Sequence, residues 1–261
     1  MALLSLVTVF FFSCKKDSKN EPATTPSEQE EQGDDDGEGG DDATAIIIDA
    51  LFDEWTADNA AIDIAVAGFD ASKNSESYPA LKKLMAASDE DYLYLYVEFD
   101  AAKEVGALDI LIDADNNPET GMSSWLFTTS GIDYLLETAT VDPNDEDKLI
   151  AITDVAANSA LFEYTDADGS DAWVWNDLGA AGAIESSDVV TLANGNKAVE
   201  IAVIKAMIHG STAASMNADA FRVGIFSSNY TWGESGVMPQ VSTDADGNTV
   251  TSDMLTVNVT K

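Results

Sequence analysis

Asp91-Tyr92-Leu93-Tyr94-Leu95-Tyr96-Val97-Glu98-Phe99 alternates with the two-residue period of a β-strand. Tyr92, Tyr94 and Tyr96 project to one side, and Leu93, Leu95 and Val97 to the other. Neither side is plainly polar, so the segment predicts a central strand with one aliphatic face and one tyrosine-lined face. Working outward, further short runs rich in β-branched and aromatic residues fall at 62–66, 81–87, 108–112, 134–139, 149–154, 161–164, 173–175, 199–204, 222–226 and 255–259. Asp, Asn, Gly and Ser separate them. Asp166-Ala167-Asp168-Gly169 and Asp244-Ala245-Asp246-Gly247 read as hairpin turns, because Asp-Gly accepts positive φ. Helical periodicity is scarce, with a single turn expected at 205–209. The predicted fold is all-β: an immunoglobulin-like antiparallel β-sandwich over residues 46–261.

The chain before this domain has a different character. Residues 1–13 are almost wholly apolar and end at Ser13-Cys14. That run is shorter than the roughly 20 apolar residues a membrane span needs, and it has the size of a signal-peptide apolar region. A small residue directly before the chain's sole cysteine resembles the lipobox of bacterial lipoproteins, which implies lipidation of Cys14 and removal of residues 1–13. With one cysteine no intrachain disulfide can form. Residues 15–45 hold eleven acids, three lysines and no aromatic residue. Such a segment cannot offset its own ordering entropy, so it predicts a disordered acidic tether. Acidic residues soon after the cysteine, from Asp17 onward, resemble surface lipoproteins of the Bacteroidetes. The resemblance implies an outer-membrane lipoprotein displayed at the cell surface, touching the membrane only through its anchor.

The formal net charge is −36, of which the tether carries −8 and the remainder −28. Phosphate backbones would be repelled, which argues against nucleic-acid partners. Divalent cations and neutral sugars remain compatible. Hydrophobic residues make up 45% of the chain, enough for a sizeable core.

Ile48-Asp49-Ala50-Leu51-Phe52-Asp53-Glu54-Trp55 resembles the opening signature of carbohydrate-binding modules of family 9 and their DOMON-like relatives, with Ala50 where that pattern has glycine. In the same order as the family follow Ser88-Asp89-Glu90-Asp91-Tyr92-Leu93-Tyr94, then Ile112-Asp113-Ala114-Asp115-Asn116-Asn117 with Thr120-Gly121 and Asp133-Tyr134, then Val199-Glu200-Ile201-Ala202-Val203-Ile204. The resemblance covers about residues 46–259. It implies a β-sandwich, often with structural calcium, and in the named family a site that holds sugar between aromatic rings.

Candidate functional residues follow from these patterns. Asp113, Asp115 and Asn117 alternate, so their oxygens can converge in a loop, with Asp133 as a further ligand for Ca2+. An EF-hand is excluded, since Pro118 and Ser124 stand where that loop needs glycine and glutamate. The bland alternative is an Asx-type turn closing a strand. Sugar binding needs a flat apolar ring beside polar groups. Trp125, in a serine-flanked loop, and Trp232, within Asn229-Tyr230-Thr231-Trp232, meet that need, so Trp125, Trp232, Tyr230 and Asn229 are the ligand-binding candidates. Trp173 and Trp175 share a strand face and read as core or platform; Trp55 reads as a core plug. The single histidine, His209, and single cysteine leave too few ligands or bases for a serine triad or a zinc site, and Met207 with His209 is a weak haem pair. The expectation is a non-catalytic domain that captures a polysaccharide or glycan; its alternative is a calcium-stabilised structural or adhesion module with a protein partner.

Overall fold

The structure, a computed structural model, describes residues 46–73, 78–128, 130–179, 182–208, 219–246 and 248–259. Cys14, the apolar segment and the acidic tether lie outside the described residues, as do His209 and Gly247. Among the described residues, no helix is long and apolar enough to cross a membrane.

Two antiparallel sheets form the expected all-β sandwich. In spatial order the first sheet runs Ala65–Gly68, Leu81–Ser88, Tyr92–Phe99, Lys197–Ile204 and Ile184–Ser186, with Val190–Thr191 also against Lys197–Ile204. The second runs Trp175–Gly179, Ser159–Tyr164, Tyr134–Ala139, Ala107–Asp113, Ala220–Ser228 and Glu234–Met238, with Leu255–Asn258 also against Ala220–Ser228. The tyrosine-rich segment is central, paired on both sides, as its two non-polar faces required. The helical turn is Lys205–Ile208. Three expectations shift. Of 62–66 only Ala65 and Val66 pair, in Ala65–Gly68, and of 173–175 only Trp175 does, in Trp175–Gly179, which leaves Trp173 in the preceding loop. Residues 150–154 join no extended ladder, and the strand there is Asp145–Leu149, in a small hairpin with Val141–Asp142. Ile152 and Val155 are buried in the inter-sheet core, so the apolar character at 149–155 reports burial rather than pairing.

Three apolar layers result. Between the sheets, Leu93, Leu95, Val97, Val199, Ile201 and Val203 from the first face Leu108, Ile110, Ile112, Phe221, Val223 and Ile225 from the second. The period of two then sends the alternate residues outward. On the first sheet these are Met85, Ala87, Tyr94, Tyr96, Ala198 and Ala202, and the segment 46–64 lies over them through Ile46, Phe52, Trp55 and Ile62. On the second sheet they include Leu111, Leu135 and Phe226, partly covered by Met122, Leu126, Phe127 and Ile132 of the 114–133 loop. Gly224 permits that cover: a Cβ there would stand 2.5 Å from the Phe127 ring.

The N-terminal cover is fastened at one residue. Glu200, fully buried on the outward face of its strand, accepts hydrogen bonds from the Trp55 indole N–H (3.0 Å) and the backbone N–H groups of Ala50 (2.8 Å) and Asp49 (3.1 Å). Burial raises its carboxyl pKa, and these donors oppose the rise. Ala50 adopts φ 67°, in the left-handed region, so alanine here carries a conformation that suits glycine. Trp55 packs 5.9 Å from Tyr96 and is 6% exposed, the core plug expected of it.

Trp55→Ala should therefore destabilise the domain by about 3–5 kcal/mol, and Ala50→Gly should stabilise it by about 0.5–1 kcal/mol through relief of the left-handed alanine. Urea unfolding checks both; a neutral Trp55→Ala would mean that the 46–64 segment contributes nothing to the fold.

Candidate functional site

The outward face of the second sheet is covered only in part, and the uncovered part is aromatic. Trp125 and Trp173 stand on different loops with their ring centroids 6.0 Å apart at 56°. Both rest on Phe226, at 6.1 and 6.5 Å. Trp173 meets Trp175 edge-to-face at 5.2 Å, and Trp175 meets Tyr164 at 5.4 Å. Phe226 is buried, whereas Trp125 is 49% and Trp173 46% exposed. The cluster is thus anchored at its base and open at its top.

Backbone hydrogen bonds lace the two loops together. Ser123 N–H donates to the Ser170 carbonyl (2.8 Å), Gly169 N–H to the Gly121 carbonyl (2.8 Å), and Gly121 N–H to Asp168 Oδ1 (3.2 Å). The 114–133 loop closes on itself between Met122 and Ile132 in both directions, at 2.8 and 3.0 Å. Gly131 lets it close, since a Cβ there would come within 2.1 Å of the Asn117 carbonyl oxygen. Asp166 accepts from the Ser170 hydroxyl at 2.8 Å, so the acids of this second loop serve its own geometry. The indoles are held in place before any ligand arrives, which lowers the ordering cost of binding.

Carboxylates border the rings. Glu234 Oε1 accepts the Trp125 indole N–H at 3.2 Å. Glu234 and Asn229 also line a cleft of about 350 Å³ with Pro79, Ala80, Lys103 and Glu104. In the sheet register, Asp109 lies directly between Phe226 on one neighbouring strand and Glu137 on the other. Asp109 is 6% exposed, and its carboxyl pKa is raised well above the usual range by burial and by the Glu137 charge, with a hydrogen bond joining the two side chains. Asp109 Oδ1 and Trp175 Nε1 are buried polar atoms with no hydrogen-bond partner.

Of the sequence-derived ligand candidates, Trp125 belongs to this cluster. Trp232 sits instead at the tip of the 229–233 turn, 45% exposed, with φ 64°. Asn229 is committed to that turn: its Oδ1 accepts from the Thr231 N–H, the Thr231 hydroxyl and the Gly233 N–H, at 2.9, 2.9 and 3.0 Å. Tyr230 packs on the backbone of Gly106, and its carbonyl accepts the Leu149 N–H at 2.9 Å. The partner of Trp125 is thus Trp173. Sequence reasoning had assigned Trp173 to a strand face, and Asp109 and Glu137 were indistinguishable among the chain's 48 acids.

The acidic candidates meet at the far end of the same face. Asp113, Asp115 and Asp133 bring one carboxylate oxygen each within 4.8 Å of one another, a group that can hold a metal ion. Asn117 takes another role: its backbone N–H donates to Asp115 (2.9 Å) and Asp113 (3.2 Å), while its side-chain oxygen accepts the Glu119 N–H (3.2 Å). Asp133 Oδ2 accepts the Ala114 N–H at 2.8 Å. Arg222 pairs with fully buried Asp113 across the sheet. Burial pushes Asp113 up to about 6 despite Arg222, and pushes Asp133 to about 7, with Asp115 and Asp113 adding to the rise. One guanidinium therefore leaves the trio short of positive charge. Asp49, Glu54 and Glu200 form a second such group under the N-terminal cover.

No protein-family model matches the chain, and no curated protein matches it. The chemistry rests on the residues themselves.

A pH dependence follows from the acidic trio. An unfolded aspartate titrates near about 3.9, whereas Asp113 and Asp133 titrate at about 6 and 7 when folded. Between these values the folded state binds more protons than the unfolded one. Metal-free stability should fall as pH rises from about 4 to about 7, then level off. Urea midpoints measured with chelator across this range check the sign; a steady rise over the same interval would contradict it.

Proposed function

We propose that this protein is an exported lipoprotein, anchored through Cys14 and displayed at the outer-membrane surface, whose sandwich is a non-catalytic module that captures a polysaccharide or glycan. The observation that supports the reading best is the Trp125–Trp173 pair: two half-exposed indoles, 6.0 Å apart, on loops tied to each other and seated on buried Phe226. Leaving two indoles in water forgoes the burial of large apolar surfaces that would otherwise favour folding. Pyranose rings present C–H faces that such indoles can cover, while Glu234 at their border accepts hydrogen bonds from hydroxyl groups. The resemblance of the Ile48–Trp55 stretch and the later segments to family 9 carbohydrate-binding modules and their DOMON-like relatives points the same way. Trp232, half-exposed at the tip of the separate 229–233 turn that Asn229 and Tyr230 hold, belongs in this reading as a flanking subsite.

A glycan-array screen of the full chain, followed by titration of any hit with tryptophan fluorescence, tests the proposal. Saturable binding is expected, with affinity lowered at least tenfold by Trp125→Ala or Trp173→Ala and stability changed little compared with Trp55→Ala. A folded protein that binds none of a diverse glycan set would defeat it.

A second reading has its own support in the Asp113, Asp115 and Asp133 group. In this reading Ca2+ stabilises a structural or adhesion module whose partner is a protein. The donors fit: three hard carboxylate oxygens, from buried Asp113 and half-buried Asp115 and Asp133, short of positive charge, suit a cation of that class. Added calcium should raise the melting temperature, most strongly above pH 7 where the trio is deprotonated, and Asp133→Asn should abolish the increment. An identical melting curve in excess chelator and in millimolar calcium would remove the ion from the account.

A further inference from the structure

The same face carries information about which sugar it suits. This inference rests on the glycan-binding reading above and narrows it. We infer that the Trp125–Trp173 platform, floored by Phe226 and bordered by Asp109, Glu137 and Glu234, is built for an amine-bearing sugar, one with a protonated amino group on the pyranose ring.

Three observations carry this. First, Asp109 and Glu137 make no ion pair with Lys or Arg among the described residues, while Lys82, Lys148 and Arg222 are engaged with Asp100, Asp145 and Asp113. A nine-tenths-buried carboxyl hydrogen-bonded to a second one, with its Oδ1 unpartnered, is costly to leave without a compensating group. Second, the acids adjoin the floor of the aromatic cluster. The strand order places Ala107–Asp113 and Tyr134–Ala139 between the strand of Phe226 and those of Tyr164 and Trp175. Phe226, on which Trp125 and Trp173 both rest, is the register partner of Asp109, which in turn pairs with Glu137, while Tyr164 and Trp175 lie further along the face in register with Asp133. Aromatic faces attract cations through their quadrupoles, and a desolvated ammonium gains most. Third, the whole domain is negative, with −28 outside the tether, so anionic sugars are repelled and cationic ones are steered inward. An enclosed cage would suit a bare ammonium. Here the two outer indoles are inclined at 56° and open to solvent, a surface broad enough for a sugar ring.

The atoms divide the task. The exposed faces of Trp125 and Trp173 cover the ring's C–H surface. Glu137, half-buried, and Asp109, its register partner, receive the ammonium at the platform's base. Glu234 holds the Trp125 indole through its N–H and fixes the tilt of the platform.

The test titrates the full chain with three oligosaccharides of matched length and linkage: β-1,4-linked glucosamine, its N-acetylated form and the glucose form. Calorimetry at low and high salt reads affinity. The expected result is glucosamine binding at least tenfold tighter than either neutral oligomer, with the gap narrowing in high salt. In the Asp109→Asn/Glu137→Gln double variant the gap should close while binding of the neutral oligomers persists, which also shows that the variant is folded. The tether's acids are common to both proteins and cannot produce that difference. Trp125→Ala should weaken all three oligomers together. Neutral oligomers binding as tightly as glucosamine would overturn the amine preference and leave the glycan reading standing. A gap that survives in the double variant would overturn the assignment to Asp109 and Glu137. Failure of all three oligomers, with choline bound instead, would overturn both readings.

Discussion

Every strand of a sandwich must dispose of two sets of side chains, and in this domain both sets are largely apolar. Packing Leu93, Leu95 and Val97 against Leu108, Ile110 and Ile112 sends Tyr94, Tyr96 and Met85 out of one sheet and Leu111, Leu135 and Phe226 out of the other. Two outward faces therefore need cover, and the chain supplies it from segments outside the sheets. Over the first sheet the cover is complete enough to bury Trp55. Over the second it stops short, and where it stops two tryptophans are half-exposed. The site is a consequence of how far the 114–133 and 165–174 loops extend across an apolar face.

This also explains what could be read in the sequence. The period of two is a local property, so Tyr92–Phe99, Leu81–Ser88, Lys197–Ile204 and the all-β class were legible from short stretches. Glu234–Met238 was not: Glu-Ser-Gly-Val-Met has weak strand propensity. Its place depends on Gly236, where a Cβ would stand 2.6 Å from the backbone nitrogen of Leu81. Trp55 was legible as buried because its motif is compact, but its partner Glu200 lies 145 residues away. The pairing of Trp125 with Trp173 depends on lacing between two loops. That information resides in backbone geometry and has no residue-type signature. Asp113, Asp115 and Asn117 were recognisable as a group by their alternation, with Asp133 added as a further ligand. The Arg222 guanidinium that pairs with Asp113 was not, since a cross-strand neighbour 109 residues distant leaves no local trace.

The electrostatics follow from the same geometry. An outward face that is half covered is also half desolvated, so acids placed on it meet a low-dielectric environment without being fully enclosed. Glu200 shows one solution, in which three N–H donors compensate a fully buried carboxylate and turn it into a fastener. Asp113, with Arg222 beside it, shows a second, an ion pair that still leaves the neighbouring aspartates crowded. Asp109 and Glu137 show a third, in which burial and the neighbouring carboxylate raise the Asp109 pKa and no Lys or Arg among the described residues forms an ion pair with either.

These three solutions differ in what they leave for a ligand. A carboxylate that already accepts three N–H groups serves as a fastener, and its loss would be felt as lost stability. A crowded aspartate trio has oxygens and negative charge to spare, so an ion there would act on stability as well as occupancy, through mass action on the folded state. Asp109 and Glu137, in register beside the Phe226 floor, make no ion pair with Lys or Arg among the described residues, and it is to them that the proposed ligand amine is assigned. Position relative to the covering loops, more than the count of acids, thus sets how each buried carboxylate along the chain is compensated.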